Sequence, residues 1–261
     1  MRLAVTRALC IGLVIGVAGF AAAAEKIYDV STATIVSPSA TRGADRAIEA
    51  WGFEAGEGFS PGYIEGQAGW TTFASSVTEG HIDTANPNDG TQHLRISQDP
   101  AAAAGTNIGA FSPEVSDAVV DTSIVVIFVN IGATGGADYD VVPQAPSQAL
   151  LTARVKFSSA GDILVLDDLG AGLTFVDTGV DYIPGSYIPL QINVDPVANT
   201  IEYSYNVASI YSSVAGVFAG TLVEQLVILS DNNNSGESAD FDSLVINRGE
   251  VPVELQSLSI E

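Results

Sequence analysis

Apolar and polar residues alternate with period two through most of the chain, the repeat expected of a strand with one buried face. The alternation runs over Thr32–Val36, Gln92–Ser97, Val119–Val129, Ala149–Phe157, Asp162–Leu166, Leu173–Asp177, Ile188–Val194, Thr200–Tyr205, Leu222–Leu229 and Phe241–Ile246. These stretches are rich in Val, Ile, Thr, Tyr and Phe, and turn residues part them: Ser159-Ala160-Gly161, Ile183-Pro184-Gly185-Ser186 and Asp195–Asn199. No helix of ten or more residues fits between them. The pattern predicts an all-β, antiparallel two-sheet sandwich. Ile192, Val194, Ile201, Tyr203 and Tyr205 take inward positions. The run Ile124–Val129 is apolar on both faces and predicts a central strand covered on both sides. Only Gly43–Trp51, with Ala44, Ile48 and Trp51 at helical spacing, reads as a short helical turn.

The two ends of the chain read differently. Arg2 and Arg7 precede an apolar stretch from Ala8 to Phe20, and Ala21–Ala24 supply the small residues of a cleavage site before Glu25. Residues 1–24 are therefore expected to be a secretory signal peptide, too short to span a bilayer comfortably. Cys10, the one cysteine, lies inside it, so the mature chain carries none. Residues 25–45 form a polar arm, 46–249 the sandwich domain, and 250–261 a tail or final strand in which Val253, Leu255, Leu258 and Ile260 are apolar. Export to the periplasm, cell surface or medium follows, with no membrane span in the mature chain.

Composition changes the picture mainly through charge. Of 261 residues 47% are hydrophobic and 15% charged, which excludes a disordered, collagenous or coiled-coil protein. Lys plus Arg number 9 against 31 Asp plus Glu, a net charge of −22. Such a surface repels phosphates and anionic lipid, which argues against nucleic-acid and membrane partners. It attracts cations, calcium above all.

The stretch Trp51–Arg248 resembles the concanavalin A-like lectin and glucanase superfamily, with its laminin-G-like jelly rolls. The resemblance is carried by Trp51-Gly52-Phe53-Glu54, by Gly62–Trp70, by Asn88–Ile96, and by Ala153–Phe157, Gly161-Asp162-Ile163, Phe175–Gly179 and Ile192–Asp195. The closing strand Asp240–Ile246, with its Phe-Asp-x-Leu-x-Ile order, is its most telling part. It implies a jelly roll and, from the structural ion common in the superfamily, calcium held by Glu54, a carbonyl near Gly90, and Asp242.

The catalytic signature of the glucanases is missing. Those enzymes carry Glu-x-Asp-x-Glu on one strand, which aims three carboxyls into one cleft. Nothing in the chain matches, and Asp162–Asp168 has apolar residues where nucleophile and acid would sit. His81 and His93 are the only histidines and are expected at surface positions, which excludes a multi-histidine zinc site. Asp231–Gly236 with Asp242 matches an EF-hand-like loop, though a polar turn explains it more simply. Tyr63, Trp70, Tyr182, Tyr187 and Tyr211 lie in or beside turns and are the candidates for stacking against sugar rings, while Trp51 and Phe53 read as core. The expectation is a non-catalytic exported sandwich, monomeric or weakly associating, that recognises extracellular or envelope glycans. A structural or adhesive protein that binds a protein partner is the alternative, and a diverged glycan hydrolase or lyase ranks behind both.

Overall fold

The protein, a computed structural model, is described over residues 48–73, 80–115, 122–217, 223–233 and 236–248. The expected signal peptide, polar arm, strand at Thr32–Val36 and tail all fall outside these residues. Among the described residues strands make two antiparallel sheets.

The nine-stranded sheet contains β1 (Ile48–Trp51), β2 (Gly62–Tyr63), β4 (Gly80–Asp83), β5 (His93–Ser97), β7 (Ser123–Ile131), β13 (Ile188–Asp195), β14 (Thr200–Tyr205), β15 (Ala208–Ser212) and β17 (Ser238–Arg248). Its order is β15-β14-β13-β7-β17-β5-β4-β2, with β1 beside the far half of β17. The eight-stranded sheet contains β3 (Thr71–Thr72), β6 (Ile108–Phe111), β8 (Tyr139–Ala145), β9 (Leu150–Leu151), β10 (Val155–Phe157), β11 (Asp162–Asp168), β12 (Leu173–Asp181) and β16 (Gln225–Ser230). It runs β12-β11-β10-β8-β16-β6-β3, with β9 on the end of β8.

Alternation sends one side of each sheet into a shared core. Ile192, Val194, Ile201, Tyr203 and Tyr205 are all buried there, as their spacing predicts, together with Trp51 and Phe53. Burying this apolar area, at about 25 cal/mol per Å², is the dominant favourable term in holding the sheets face to face.

Three departures from the sequence reading have local causes. Ile48–Trp51 is strand rather than helix, because it pairs with Leu244–Asn247 of β17. The strand expected over Ala149–Phe157 is two, β9 and β10, broken where the N–H groups of Thr152 and Ala153 both donate to Pro143 O. That break accommodates Pro143 inside β8, since its missing N–H faces the gap and no bond to β16 is lost. Finally, β7 is central in order but covered on one side only: Ile124, Val126 and Phe128 face outward and are half-buried.

Candidate functional site

Strand register lines up one row of side chains across the outward face of the nine-stranded sheet. Tyr63 on β2 stands opposite His81 on β4, His81 opposite Arg95 on β5, Arg95 opposite Asp240 on β17, and Asp240 opposite Asn130 on β7. Their chain neighbours Ile82, Leu94, Ile96, Phe241 and Val129 are buried in the core, so the row itself faces away from it. At about 4.8 Å per strand the row spans roughly 19 Å.

Charge sits at its centre. The Arg95 guanidinium grips Asp240 through Nε at 2.7 Å and Nη2 at 3.0 Å, and reaches Asp83 Oδ2 through Nη1 at 2.6 Å. His93 Nε2 lies 3.3 Å from Asp240 Oδ1. Burial pushes the Asp240 carboxyl up, but the His93 and Arg95 donors outweigh it and hold it below the ordinary value. Tyr187 stands edge-on to His93, ring centroids 6.3 Å apart. Burial and then the charge of Asp240 keep its hydroxyl neutral.

Several polar atoms here have no hydrogen-bond partner among the described residues: Asn130 Oδ1, the Tyr187 hydroxyl and His93 Nδ1. Asn130 is 6% exposed and His93 0%. Such atoms also occur in the core, at Trp70 Nε1 and the Tyr203 hydroxyl, and are commonly completed by ordered water. At the rim, Tyr63 is 55% exposed and stacked on His81, centroids 4.9 Å apart and planes 29° from parallel. That is a flat, supported platform beside a set of hydrogen-bonding groups.

Of the tyrosines and tryptophan expected at a sugar-binding rim, the structure brings Tyr63 and Tyr187 to this face and places Trp70, Tyr182 and Tyr211 away from it. Trp70 is wholly buried between the sheets, edge-to-face with Trp51 at 5.8 Å and Phe53 at 5.3 Å. Tyr182 packs on Phe157 at 5.9 Å, and burial pushes its hydroxyl up to about 12. Both rings follow the large apolar area that aromatic burial gains. Tyr211 lies on the other edge, donating to Asp167 Oδ2 at 2.9 Å. The expectation of a surface His93 is corrected too: it is fully buried. His93, Arg95, Asp240 and Asn130 were missed as a site. For His93, Arg95 and Asp240 the signal was a polar residue at alternate positions of an apolar strand, whereas Asn130 follows Ile124, Val126 and Phe128 and carried none; the four become a row only once the register is known.

Glu54, Gly90 and Asp242 do come together, around the loop 88–92. Asp242 Oδ2 accepts the N–H groups of Asn88 at 2.9 Å and Asp89 at 3.1 Å, and Oδ1 accepts that of Ser243 at 2.7 Å. Glu54 Oε1 accepts from Thr91 N at 2.7 Å and Gln92 N at 2.9 Å, and Oε2 from the Thr91 hydroxyl at 2.7 Å. Gly90 has φ +62°, and a Cβ there would lie 2.3 Å from Glu54 Oε1, so only glycine lets the carboxylate close in. The two carboxylates are engaged alike: in each, one oxygen accepts two hydrogens and the other accepts one. The EF-hand-like segment is a turn where described, with Asn232 Nδ2 bonded to the carbonyls of Asp99 and Ala102; residues 234–235 lie outside the described set.

The fold and the row together define a jelly-roll β-sandwich with a polar, aromatic-flanked sheet face. No family model and no curated protein matches the chain. Among solved structures it is similar to a sialidase, at 8% identity and a TM-score of 0.53 over 74% of this chain and 19% of that one. It is similar also to a β-glucanase of Bacillus licheniformis, at 10% identity and 0.51 over 79% of this chain and 100% of that one. A glycosidic hydrolase gives 9% and 0.50 over 80% and 100%. At such identities the likeness is one of fold, and it supports the concanavalin A-like resemblance at that level.

Proposed function

We propose that the protein is an exported, non-catalytic glycan-recognition domain whose site is the row from Tyr63 to Asn130 with Tyr187 and His93. The observation that carries this reading is the supported Tyr63–His81 platform beside buried polar atoms without partners. A sugar presents the complement, a flat apolar ring face and a fringe of hydroxyls that both donate and accept. The non-catalytic part rests on the absence of Glu-x-Asp-x-Glu from the chain. Retardation on immobilised polysaccharides is the test: specific retention is expected, and no retention by any of them overturns the reading in favour of a protein partner. Release of reducing sugar or unsaturated product from a retained polysaccharide overturns the non-catalytic part.

Calcium at the 88–92 loop is a separate proposal, with Glu54, a carbonyl near Gly90 and Asp242 as its ligands. Its role is to tie the closing strand to that loop, stabilising the sandwich by linkage with the free ion. A chelator is expected to lower the melting midpoint of wild type and not of Asp242→Ala. An unchanged midpoint for wild type removes the ion.

A further inference from the structure

The charges in this row select among glycans. Resting on the glycan reading above, we infer that the site takes a neutral, extended hexose chain laid across strands β2 to β7 and excludes uronate, sialate and sulfate sugars. Three observations lead there.

First, the face has one permanent cation among the described residues, and it is already claimed. Arg95 is held bidentate by Asp240 and singly by Asp83, so two carboxylates face one guanidinium. A sugar carboxylate entering would have to displace one of them, and meets Asp242 close by as well. Second, no other basic residue among the described residues reaches the row. Among the described residues the remaining Lys and Arg are Arg154, Lys156 and Arg248. Arg154 and Lys156 lie on β10 and its approach in the other sheet, paired with Asp140 at 2.6 Å and Asp138 at 2.8 Å. Arg248 donates to Val115 O at 3.4 Å at the end of β17 remote from Asp240. Third, the unpartnered polar atoms beneath the row, Asn130 Oδ1 and the Tyr187 hydroxyl, are buried and uncharged, so they give the face no further cationic donor for an anion. The roughly 19 Å between Tyr63 and Asn130 calls for several linked rings, with one stacked on Tyr63.

Full-length protein run in affinity gels against neutral polysaccharides (glucan, galactan, mannan) and anionic ones (polygalacturonate, alginate, carrageenan) tests this. The comparison is made at low salt and at about 0.5 M NaCl, where the field of the whole acidic surface is screened. Retention by a neutral polymer and by no anionic one at either salt is the expected result. An anionic polymer that binds as well as any neutral one overturns the inference and leaves the glycan reading standing; no retention by either class overturns the reading itself. Asp83→Asn frees one arm of Arg95 while keeping an acceptor for the Ala85 N–H, bonded at 2.8 Å in the wild type. At high salt this variant is expected to gain roughly tenfold in affinity for polygalacturonate. An Asp83→Asn protein that folds, keeps neutral-glycan binding and still ignores polygalacturonate shows that the charges of this row do not set the selection, and overturns the inference.

Discussion

Two buried aspartates, one in each sheet, are held below their ordinary value by opposite means. Asp167 on β11 is 0% exposed. It accepts hydroxyls from Tyr211 at 2.9 Å and Ser213 at 2.7 Å, and N–H groups from Val214, Ala215 and its neighbour Asp168. Burial raises its carboxyl, and these donors more than reverse it. Asp240 on β17 is 6% exposed and reaches the same direction of shift through His93 and Arg95, side chains standing on the next strand. Around Asp167 a loop has folded over the charge and supplied mostly backbone. Around Asp240 the donors among the described residues are side chains, and buried polar atoms without partners stand alongside. A carboxylate wrapped by main-chain donors is architecture, whereas one braced by side chains on a sheet face prepares a surface for something else.

The sharpest way to break that comparison is to remove Asp167. Asp167→Ala leaves at least two N–H groups and two hydroxyls without their acceptor, and hydrogen bonds to a buried charge are worth about 1.5–3 kcal/mol each before relaxation. A loss of about 3 kcal/mol in urea unfolding is expected, with glycan retention of the folded protein unchanged. Loss of retention at full foldedness would show that the loop at 211–215 belongs to the site. The acid limb carries the same information. Because the folded value lies below 3.8, Asp167 contributes stability that is present above that pH and lost as pH falls through the folded value. The gap between wild type and Asp167→Asn should therefore be full well above pH 3.8 and shrink as the pH falls below it. Asp242 works the other way, its carboxyl raised by burial despite the Asp89, Ser243 and Asn88 N–H groups, so it tempers the acid loss.

How much of this was readable from the chain divides along the same line. The all-β class and strands β5, β13 and β14 were legible because alternation is strong there and turn residues bound it. β8 was not, since Pro143 in its middle argues against an interior strand unless the break at Thr152–Ala153 is already known. The short β2, β3 and β4 carry too few residues to show a period. The site was legible only in its aromatics, and only for Tyr63 and Tyr187; Trp70 has the same turn-rich surroundings and lies in the core. His93, Arg95, Asp240 and Asn130 are more than 140 residues apart at the extremes, and only strand register makes them neighbours.

A smaller effect tests the other side of the comparison. Tyr63→Ala removes an exposed ring that contributes little to the core, so unfolding free energy should change by no more than about 0.5 kcal/mol. Glycan affinity should fall about five- to tenfold, the worth of one stacking partner at about 1–1.4 kcal/mol. The two variants then form a cross: Asp167→Ala moves stability and spares binding, and Tyr63→Ala does the reverse. A Tyr63→Ala protein that binds as wild type moves the platform elsewhere on the face, with the half-buried Phe128 the next ring to test.

The smallest effect concerns strain in the hairpin that ends at the Asp167 loop. Tyr205 pairs with Ala208, leaving Asn206 and Val207 as a two-residue turn, with φ of +52° and +59°. Both positive angles are what a type I′ hairpin demands, and Asn suits the first position. Val suits the second poorly, because a β-branched side chain in the left-handed region costs about 1–2 kcal/mol. Val207 is 83% exposed, so its side chain returns little of that through burial. Val207→Gly relieves the strain and loses up to about 1 kcal/mol to the greater freedom of the unfolded chain, for a net gain of about 0.5 kcal/mol. Urea unfolding should show that gain with retention unaltered. The strained residue lies at the far end of the hairpin from Tyr211, so a gain there tightens the hairpin that feeds the Asp167 clasp and leaves the Asp240 row as it was. Weaker glycan retention in Val207→Gly would mean that the exposed valine itself touches the ligand, and the boundary between the two regions would have to be redrawn through this hairpin.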